Sequence, residues 1–420
     1  MHSRIHEIIA AVWRLESARI VAVVARQVHD LGVAEDLAQD ALVAALDRWP
    51  RDGLPDNPAA WLTATAKNRA LDHLRHRRMA HARHEDIARD LEALEAHVVP
   101  DIADALDAAR EDEIGDDLLR LIFIACHPVL PTDARVALTL RLPCGLTTHE
   151  IARAFLVPEP TVAQRIVRAK RTLSEARVPF ELPRGEAQGE RLASVLEVVY
   201  LVFNEGYTAT RGADWMRPAL CDEALRLGRM LAGLAPGQAE VLGLLALMEI
   251  QASRTAARTD SQGEPVLLAD QDRSRWDRLL IRRGLAALER ADALGQPLGS
   301  YRLQAEIAAC HARAPRAQDT DWNRIASLYA ALTQLAPSPV VELNRAVAVG
   351  MAEGPAAGLA IVEALLEERA LQRYQWLPAV QGDLLVRLGR HEEARAAFLR
   401  AAALAGNERE RTLLERRAAA

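Results

Sequence analysis

Three aspartates recur at every third residue of an acidic stretch, a set of carboxylates that could hold a divalent cation. They are Asp101, Asp104 and Asp107, and the adjacent pair Asp116 and Asp117 follows them. No histidine stands at ligand spacing beside them, and aspartates in a long acidic run are usually solvated. These carboxylates therefore do not predict a metal centre.

Cysteine and histidine also occur together, but without the spacing of a zinc site. Cys126 precedes His127, and Cys144 and His149 follow at irregular intervals. No nucleophile–base pattern and no glycine-rich phosphate loop appears along the chain. We therefore expect no enzymatic activity and no bound metal or cofactor.

The strongest candidate for binding chemistry is a basic helix face between residues 160 and 173. Its polar and basic side chains are Thr161, Gln164, Arg165, Arg168, Lys170 and Arg171. Apolar residues recur on the opposite side: Val162, Ile166, Ala169 and Leu173. Near the start of such a helix side chains can reach base edges in the major groove, and later arginines can reach phosphates. An amphipathic helix pair with a merely solvated basic face is the alternative.

The residues before this helix predict a helix-turn-helix that would position it. Thr147 and Glu150 form a capping-box pattern at the start of a short first helix. Pro160 suits the first turn of the second helix, where its missing N–H costs little. Leu156 stands where DNA-binding versions commonly have glycine, so we expect a wider turn shaped by Pro158.

A second basic helix is predicted from Trp61 to Met79, entered through Asn57-Pro58. One side of it carries Trp61, Thr65, Asn68, Asp72 and Arg75, and the other could face a core through Leu62, Ala66, Leu71 and Leu74. Arginine, asparagine and an aromatic ring suit a nucleic-acid backbone with unstacked bases, since stacking contributes about 1–3 kcal/mol per base. A core tryptophan and a solvated basic helix end are the alternatives.

The preceding helix, Val33 to Trp49, is predicted to have an acidic outer face. Its core side would bury Leu37, Ala41, Leu42, Ala45 and Leu46. Asp36, Asp40 and Asp47 lie on the other side, and alone they would indicate only a solvated surface.

Composition and charge predict a multi-domain, all-α chain. Of 420 residues half are hydrophobic, only 42 are glycine or proline, and the net charge is -6, so a nucleic-acid surface must be local. Residues 61–84 carry six basic residues against Asp72 alone, whereas residues 85–117 carry thirteen acids against two arginines. The acidic stretch indicates a solvated linker, and the four scattered cysteines and the lack of an apolar span predict a reduced, cytosolic protein.

The last part, residues 190–420, is predicted to be helical and partly repetitive. Gly382 and Phe398 belong to a small-and-large pattern between Leu377 and Ala405 that is typical of a tetratricopeptide (TPR) helix pair. Leu234-Ala235-Pro236 and Leu335-Ala336-Pro337 are similar repeat ends about three periods apart. A generic alanine-rich bundle is the alternative.

Taken together, these pieces resemble bacterial sigma factors of the extracytoplasmic function (ECF) group of the sigma-70 family. The matching segments are Ala34–Ala41, Ala60–Arg75 and Glu150–Lys170, in the family's order and with no domain between the two halves. The resemblance implies a sigma-two domain at 10–80, an acidic linker at 81–114, a sigma-four helix-turn-helix at 115–178 and a TPR-like extension at 190–420.

The resemblance also implies partners and residue roles. Core RNA polymerase would be bound through its clamp and flap regions, with clamp contacts from Glu35, Asp36, Gln39 and Asp40. The minus-ten promoter element would be melted and read by Trp61, Lys67, Asn68, Arg69, Asp72, Arg75, Arg77 and Arg78. The basic face of residues 160–173 would read the minus-thirty-five element, and the acidic linker would run through the polymerase's RNA path.

The extension resembles that of one ECF subgroup, whose members are often encoded beside small DGPF-motif proteins. We expect it to regulate the sigma half, with a hinge at Pro179–Gly189 and aromatic surface from Tyr200, Phe203, Tyr207 and Trp215. Gly206 is expected to close a helix C-terminus. The competing function is a helix-turn-helix activator joined to a repeat sensor, which leaves residues 33–78 unexplained.

Overall fold

A computed structural model describes residues 2–85, 117–183, 186–209 and 215–419. Within these ranges the chain is helical and contains no β-strand, as the sequence predicts. Asp101, Asp104 and Asp107 and most of the acidic linker lie outside the described residues. Two compact units are present, residues 1–198 and residues 199–420. Across the described ranges, no helix has both the length and the apolar character to cross a lipid bilayer.

The first unit consists of two sets of helices and the start of a long one. The first set is α1 (His2–Val28), α2 (Leu31–Asp52) and α3 (Pro58–Glu85). The second set is α4 (residues 117–125), α5 (Thr132–Arg141), α6 (Thr148–Phe155) and α7 (Glu159–Glu175). Helix α8 (Glu186–Tyr207) begins in this unit and ends in the next.

Helices α2 and α3 bury only part of the apolar sets expected from the sequence. Ala41, Ala45, Leu62 and Ala66 are buried as expected, whereas the other expected leucines are partly or largely exposed. The buried stripe of α2 is Ala34, Ala38, Ala41, Ala45 and Trp49, together with Leu31 and Glu35. Leu46 is 37% exposed on α2, and Leu71 is 46% exposed on α3, where Ala70 is buried instead. The expectations for Leu46 and Leu71 were wrong because alanine stripes let α1, α2 and α3 pack closely, which leaves these bulkier side chains at the edges.

The helix-turn-helix forms as predicted at its caps but not at its turn. Thr147 Oγ1 accepts a hydrogen bond from the Glu150 N–H, while the Glu150 carboxylate accepts one from the Thr147 N–H at 2.8 Å. Leu156 adopts the left-handed conformation at φ 50° and ψ 46°, and α7 begins at Glu159. The turn is therefore tight, and the expectation of a wider one was wrong because leucine itself takes the glycine-like conformation.

The second unit continues with helices that pack mainly on their neighbours in sequence. They are α9 (Pro218–Leu234), α10 (Ala239–Ala252), α11 (Arg278–Ala293), α12 (Ser300–Arg313), α13 (Trp322–Leu335), α14 (Pro339–Ala352), α15 (Pro355–Leu365), α16 (Trp376–Arg387), α17 (His391–Leu404) and α18 (Glu408–Ala419). Between α10 and α11 the segment 253–277 contains short 3-10 turns.

The predicted repeat ends share one backbone conformation. Ala235 follows α9 at φ -130° and ψ 58°, and Ala336 follows α13 at φ -136° and ψ 75°; each donates its N–H to the carbonyl four residues earlier at 2.8 Å. In the α16–α17 pair, a Cβ on Gly382 would lie 2.7 Å from Phe398. The small residue thus lets the aromatic ring approach, as the TPR pattern predicts.

Two expectations about the start of this unit were wrong. Gly206 does not close a helix, because α8 continues through it to Tyr207 and its missing side chain makes room for the start of α9 at Cys221. Phe203 does not provide a surface, because its side chain is fully buried, whereas Tyr200, Tyr207 and Trp215 are partly exposed.

Candidate functional site

Helix α7 buries its predicted apolar stripe and leaves its polar face outside. Val162, Ile166, Ala169 and Leu173 are all buried. On the other side Gln164, Arg168 and Arg171 are exposed, and Thr161, Arg165 and Lys170 are partly buried. Arg165 forms an ion pair with Asp133 of α5 at 3.0 Å, and Arg171 pairs with Glu175 on its own helix at 2.6 Å. Helix α7 therefore packs on the protein through its apolar side, and its polar side is accessible to a ligand.

Helix α3 presents a second polar face beside an aromatic pair. The Trp61 ring packs edge-on against the buried Trp49 with centroids 5.4 Å apart, so Trp61 is neither fully buried nor fully exposed. Asn68, Asp72, Arg75 and Arg77 are exposed, and Lys67 and Arg69 are partly buried. The side chain of Arg78 lies outside the described residues.

The acidic face of α2 divides into exposed and enclosed carboxylates. Asp36 and Asp40 are exposed, and Asp40 pairs with Arg69 of α3 at 3.2 Å. Glu35 is only 6% exposed and accepts a hydrogen bond from Gln39 Nε2 at 3.1 Å. Thus, of the four clamp-binding residues that the resemblance implies, one faces the protein interior.

Glu35 is enclosed because it joins the two helix sets of the first unit. Its Oε1 accepts a hydrogen bond from Arg141 Nε of α5 at 2.7 Å, and its Oε2 accepts one from Lys170 Nζ of α7. Burial by itself would raise the pKa of Glu35, but Lys170 and then Arg141 outweigh it and hold the pKa below its ordinary value. The carboxylate is therefore ionised at neutral pH, and we name this group the Glu35 bridge.

Further contacts and an open cleft accompany the Glu35 bridge. Arg26 of α1 pairs with the buried Asp117 of α4 at 3.4 Å. The cleft has a volume of about 500 Å³ and lies between α2 and the end of α7, with Lys170, Arg177 and Glu181 in its lining.

The Glu35 bridge pairs two residues to which the resemblance gives different roles. Glu35 is expected to bind polymerase and Lys170 is expected to bind DNA, and in this conformation they bind each other.

Sequence reasoning missed Arg141 and the contacts of α8. Arg141 lies 106 residues from Glu35, and no local pattern links them. Arg135 of α5 donates to Ser194 at 2.6 Å and to Glu197 at 2.8 Å, and Arg191 donates to the Phe123 carbonyl at 3.0 Å. The first half of α8 therefore belongs to the core of the first unit.

Within the described residues, no cluster of histidine, cysteine, aspartate and glutamate could hold a metal ion. The Cys126 thiol instead lies 3.2 Å from the Thr139 hydroxyl, where the two can share a hydrogen bond.

Three families of known proteins match successive parts of the chain. Sigma-70 region 2 matches residues 13–79, and Sigma-70 region 4 matches residues 120–173. A family of unknown function, DUF6596, matches residues 191–292. The region 2 match covers the residues that a helix-turn-helix activator would leave unexplained, so the activator is not favoured.

Bacterial relatives match either the sigma portion or nearly the whole chain. An RNA polymerase sigma-H factor of Pseudomonas aeruginosa is 33% identical over 163 residues, which is 39% of this chain and 82% of that protein. A probable ECF RNA polymerase sigma factor SigI of Mycobacterium tuberculosis is 31% identical over 173 residues, 41% of this chain and 57% of that protein. An uncharacterized protein of Rhizobium meliloti is 47% identical over 386 residues, covering 92% of this chain and 89% of its own.

No solved structure gives a significant match to the chain. The helix-turn-helix, the basic α3 and both region matches agree with one another and with the relative from Pseudomonas aeruginosa. The chain therefore belongs to the ECF-type sigma factors of the sigma-70 family, non-enzymatic proteins that direct RNA polymerase to promoters, and it carries an additional C-terminal region.

Proposed function

We propose that three helix faces divide the work of promoter recognition. Asp36, Gln39 and Asp40 of α2 bind the polymerase clamp, and Glu35 joins them once it is released. Helix α3 melts and reads the minus-ten element, and α7 reads the minus-thirty-five element while its domain contacts the flap. The observation that carries the proposal is the exposed polar face on each helix, opposite a buried stripe.

The proposed minus-ten surface of α3 combines an aromatic ring with hydrogen-bond donors that suit single-stranded DNA. Trp61 retains partial exposure for stacking with a base, and Asn68, Arg75 and Arg77 reach solvent on the same helix. The acidic linker, 81–114, competes with DNA for these basic side chains in the free protein. Promoter binding by the isolated chain is therefore weak, and specificity arises with core polymerase.

Run-off transcription with purified core polymerase tests these assignments. Arg168→Ala and Asn68→Ala should each reduce transcript yield, because a bidentate base contact contributes about 1–3 kcal/mol of discrimination. Arg395→Ala, an exposed arginine on α17, is the matched control and should leave the yield unchanged. Full activity of both test variants would reject the proposed DNA faces.

The Glu35 bridge must open before polymerase is bound. Glu35 is enclosed and Lys170 is occupied by it, so neither can contact polymerase or DNA until α2 and α7 separate. Core polymerase then exchanges contacts within the first unit for contacts with itself. The bridge therefore opposes binding in the free protein.

Arg141→Gln tests the bridge without changing a proposed contact residue. It removes one of the two cations that hold Glu35, so the affinity for core polymerase should increase several-fold. Arg135→Gln is the matched control, since it lies on the same helix α5 but bonds to α8. Equal affinities of both variants and the unsubstituted chain would show that the bridge does not restrain binding.

The C-terminal unit regulates the sigma half in the cytoplasm, where polymerase and promoters are found. Because the first half of α8 packs on α5, a truncated chain should end at Val198 rather than near Gly185. We expect residues 1–198 to bind core polymerase but to give less transcript than the full chain. Indistinguishable transcript levels would leave the extension without a regulatory role.

A small DGPF-motif protein is the proposed partner of the C-terminal unit. A pull-down using the full chain and residues 1–198 as baits tests this pairing. Retention by the full chain alone supports it, whereas retention by both or by neither contradicts it.

A further inference from the structure

Three arginines lie together between the end of α10 and the start of α11. Arg258 is 5% exposed and Arg273 is 8% exposed, while Arg254 is partly exposed. Burial lowers the pKa of both other guanidinium groups and the charge of Arg254 lowers each further, which places the three positive charges within electrostatic range of one another. We name them the arginine cluster.

The bonding partners of the arginine cluster are neutral. Arg258 donates to the Tyr207 carbonyl and to Thr208 Oγ1, and its guanidinium lies 3.5 Å from the centre of the Tyr207 ring. Arg254 Nη2 donates to the Tyr207 hydroxyl at 2.7 Å. Arg273 donates to the carbonyls of His311 and Ala314 and to Thr320 Oγ1.

Two other enclosed charges in this unit have ionic partners. Arg302, also 5% exposed, pairs with Asp292 at 2.6 Å, and the buried Glu249 pairs with Arg229 at 2.9 Å. Among the described residues, no carboxylate forms an ion pair with Arg254, Arg258 or Arg273. The cluster therefore differs from Arg302 and Glu249, whose charges are paired.

Two carboxylates act electrostatically on the cluster, but both are hydrogen-bonded to other residues. Glu410 attracts Arg258 but accepts a hydrogen bond from Gln375 and is itself buried. Asp319 attracts Arg273 but makes a two-pronged pair with Arg316. Enclosing positive charge without a counter-charge is costly, because desolvation is not offset by attraction.

Polar atoms around the cluster also lack partners. Trp276 is 3% exposed, its ring lies 4.9 Å from Arg273 and 5.9 Å from Arg254, and its Nε1 has no hydrogen-bond partner among the described residues. Three further buried atoms also lack a hydrogen-bond partner among the described residues: Nε of Arg254, Nε of Arg273 and Nδ1 of His311. Since buried polar groups are usually hydrogen-bonded, these donors indicate a missing partner.

Aromatic side chains also lie near the cluster. Burial raises the pKa of Tyr329 to about 12, with Tyr200 and Arg254 close enough to influence it, yet Tyr329 keeps part of its surface exposed. Tyr207 stacks on Phe203 and faces Arg254 and Arg258. A partly exposed guanidinium can form a two-pronged pair with a carboxylate, and the neighbouring rings offer apolar surface to the rest of such a ligand.

We propose that the arginine cluster is a binding site for a carboxylate with an apolar or aromatic body, held by Arg254. The guanidinium fork of Arg254 pairs with the carboxylate, Arg258 and Arg273 supply the positive field, and the rings of Tyr207 and Tyr329 contact the body. Either a small organic acid or the C-terminal residue of a peptide provides this chemistry, because both carry a carboxylate on an apolar group.

Calorimetric titration of the full chain tests the site. The probes are phenylacetate, N-acetyl-Ala-Ala-Phe with a free carboxylate, its C-terminal amide, and inorganic phosphate. We expect one or both carboxylates to bind and the amide to bind at least tenfold more weakly, which corresponds to ~1.4 kcal/mol. Binding of phenylacetate identifies a small acid as sufficient, and binding of the peptide acid alone identifies a peptide C-terminus.

Arg254→Gln should weaken carboxylate binding at least tenfold without lowering the melting temperature of the free chain by more than a few degrees. Arg229→Gln is the matched control, since it removes a compensated cation and should lower the melting temperature while preserving carboxylate affinity. If Arg254→Gln fails to fold, Arg254→Lys retains the charge and should still bind more weakly because the fork is lost. Phosphate binding as tight as the carboxylates, no binding of any probe, or unchanged affinity of the Arg254 variants would overturn the proposal.

Discussion

Leu156 has a backbone conformation that glycine adopts more readily. Its φ of 50° costs a side-chain-bearing residue about 1–2 kcal/mol, and the leucine side chain is 54% exposed, so it contributes little packing. Leu156→Gly should therefore raise the free energy of unfolding of the first unit by about 0.5–1 kcal/mol, after the entropy cost of glycine. Urea denaturation followed by circular dichroism measures this change.

Leu156→Val is the informative counterpart. A β-branched side chain is stiffer in the left-handed region, so valine should destabilise the unit relative to leucine. Greater stability of valine than of glycine at this position would contradict a turn that requires a positive φ.

Residue-scale prediction succeeded where the chemistry is local. The Thr147–Glu150 capping box spans three residues, so both of its bonds are encoded in one short pattern. The Glu35 bridge joins residues 106 and 135 positions apart, and an acidic residue on α2 looks the same in sequence whether it faces solvent or Lys170. The assignment of Glu35 to polymerase binding remains a prediction.

Two glycines at the ends of neighbouring helices allow a matched comparison at the scale of elements. A Cβ on Gly206 of α8 would lie 2.6 Å from the Cys221 backbone nitrogen, whereas one on Gly233 of α9 would meet nothing within 4 Å. Gly206→Ala should cost about 1–3 kcal/mol through overpacking, and Gly233→Ala should add about 0.5 kcal/mol through helix propensity. Scanning calorimetry of the two variants measures both signs.

A gain in stability for Gly206→Ala would mean that α8 and α9 are not held at this separation. The sequence alone suggested a helix end at Gly206, because glycine is the commonest residue after a helix. Close helix contacts favour the same residue, and only the position of α9 distinguishes the two explanations.

Periodicity predicted α2, α3, α6 and α7 of the first unit, but the buried faces of α2 and α3 differ in part from the prediction. On α2, Ala41 and Ala45 are buried as expected, whereas Leu46 is exposed because neighbouring helices approach closely along the alanines. On α7, a single apolar stripe has no competing set of small residues, and the face was predicted correctly. Helical period therefore identifies a buried face only when one side of the helix is distinctly apolar.

At the scale of the whole molecule, the four cysteines are sequestered. Cys126, Cys144, Cys221 and Cys310 are all buried, and burial raises the pKa of Cys126 and Cys221 to about 12. Because the thiolate is the reactive form, the native chain should react only very slowly with dithionitrobenzoate at pH 8. Release of about four equivalents after unfolding in urea, counted by absorbance, completes the measurement.

Rapid modification of a native thiol would contradict this enclosure.

Glycine and proline residues between 179 and 189 predicted an interruption between helices. The interruption is present between Glu175, where α7 ends, and Glu186, where α8 begins, but Gly189 lies within α8. They did not mark the boundary of a compact unit, which falls between 198 and 199 within α8. Glycine and proline residues indicate where backbone hydrogen bonding stops. The boundary of a compact unit depends instead on contacts such as that of Arg135 with Glu197.

The pairing of Glu35 with Lys170 has a consequence for competition among sigma factors. If only the open molecules bind, the apparent Kd for core polymerase is the intrinsic Kd divided by the open fraction. A preference of ~1.4 kcal/mol for the closed form leaves about a tenth of the molecules open and weakens the apparent Kd about tenfold. Raising the amount of protein increases open and closed molecules in proportion, whereas a signal that separates α2 from α7 acts on every molecule already present. A protein of this kind can accumulate in advance and bind polymerase about tenfold more tightly once that signal arrives.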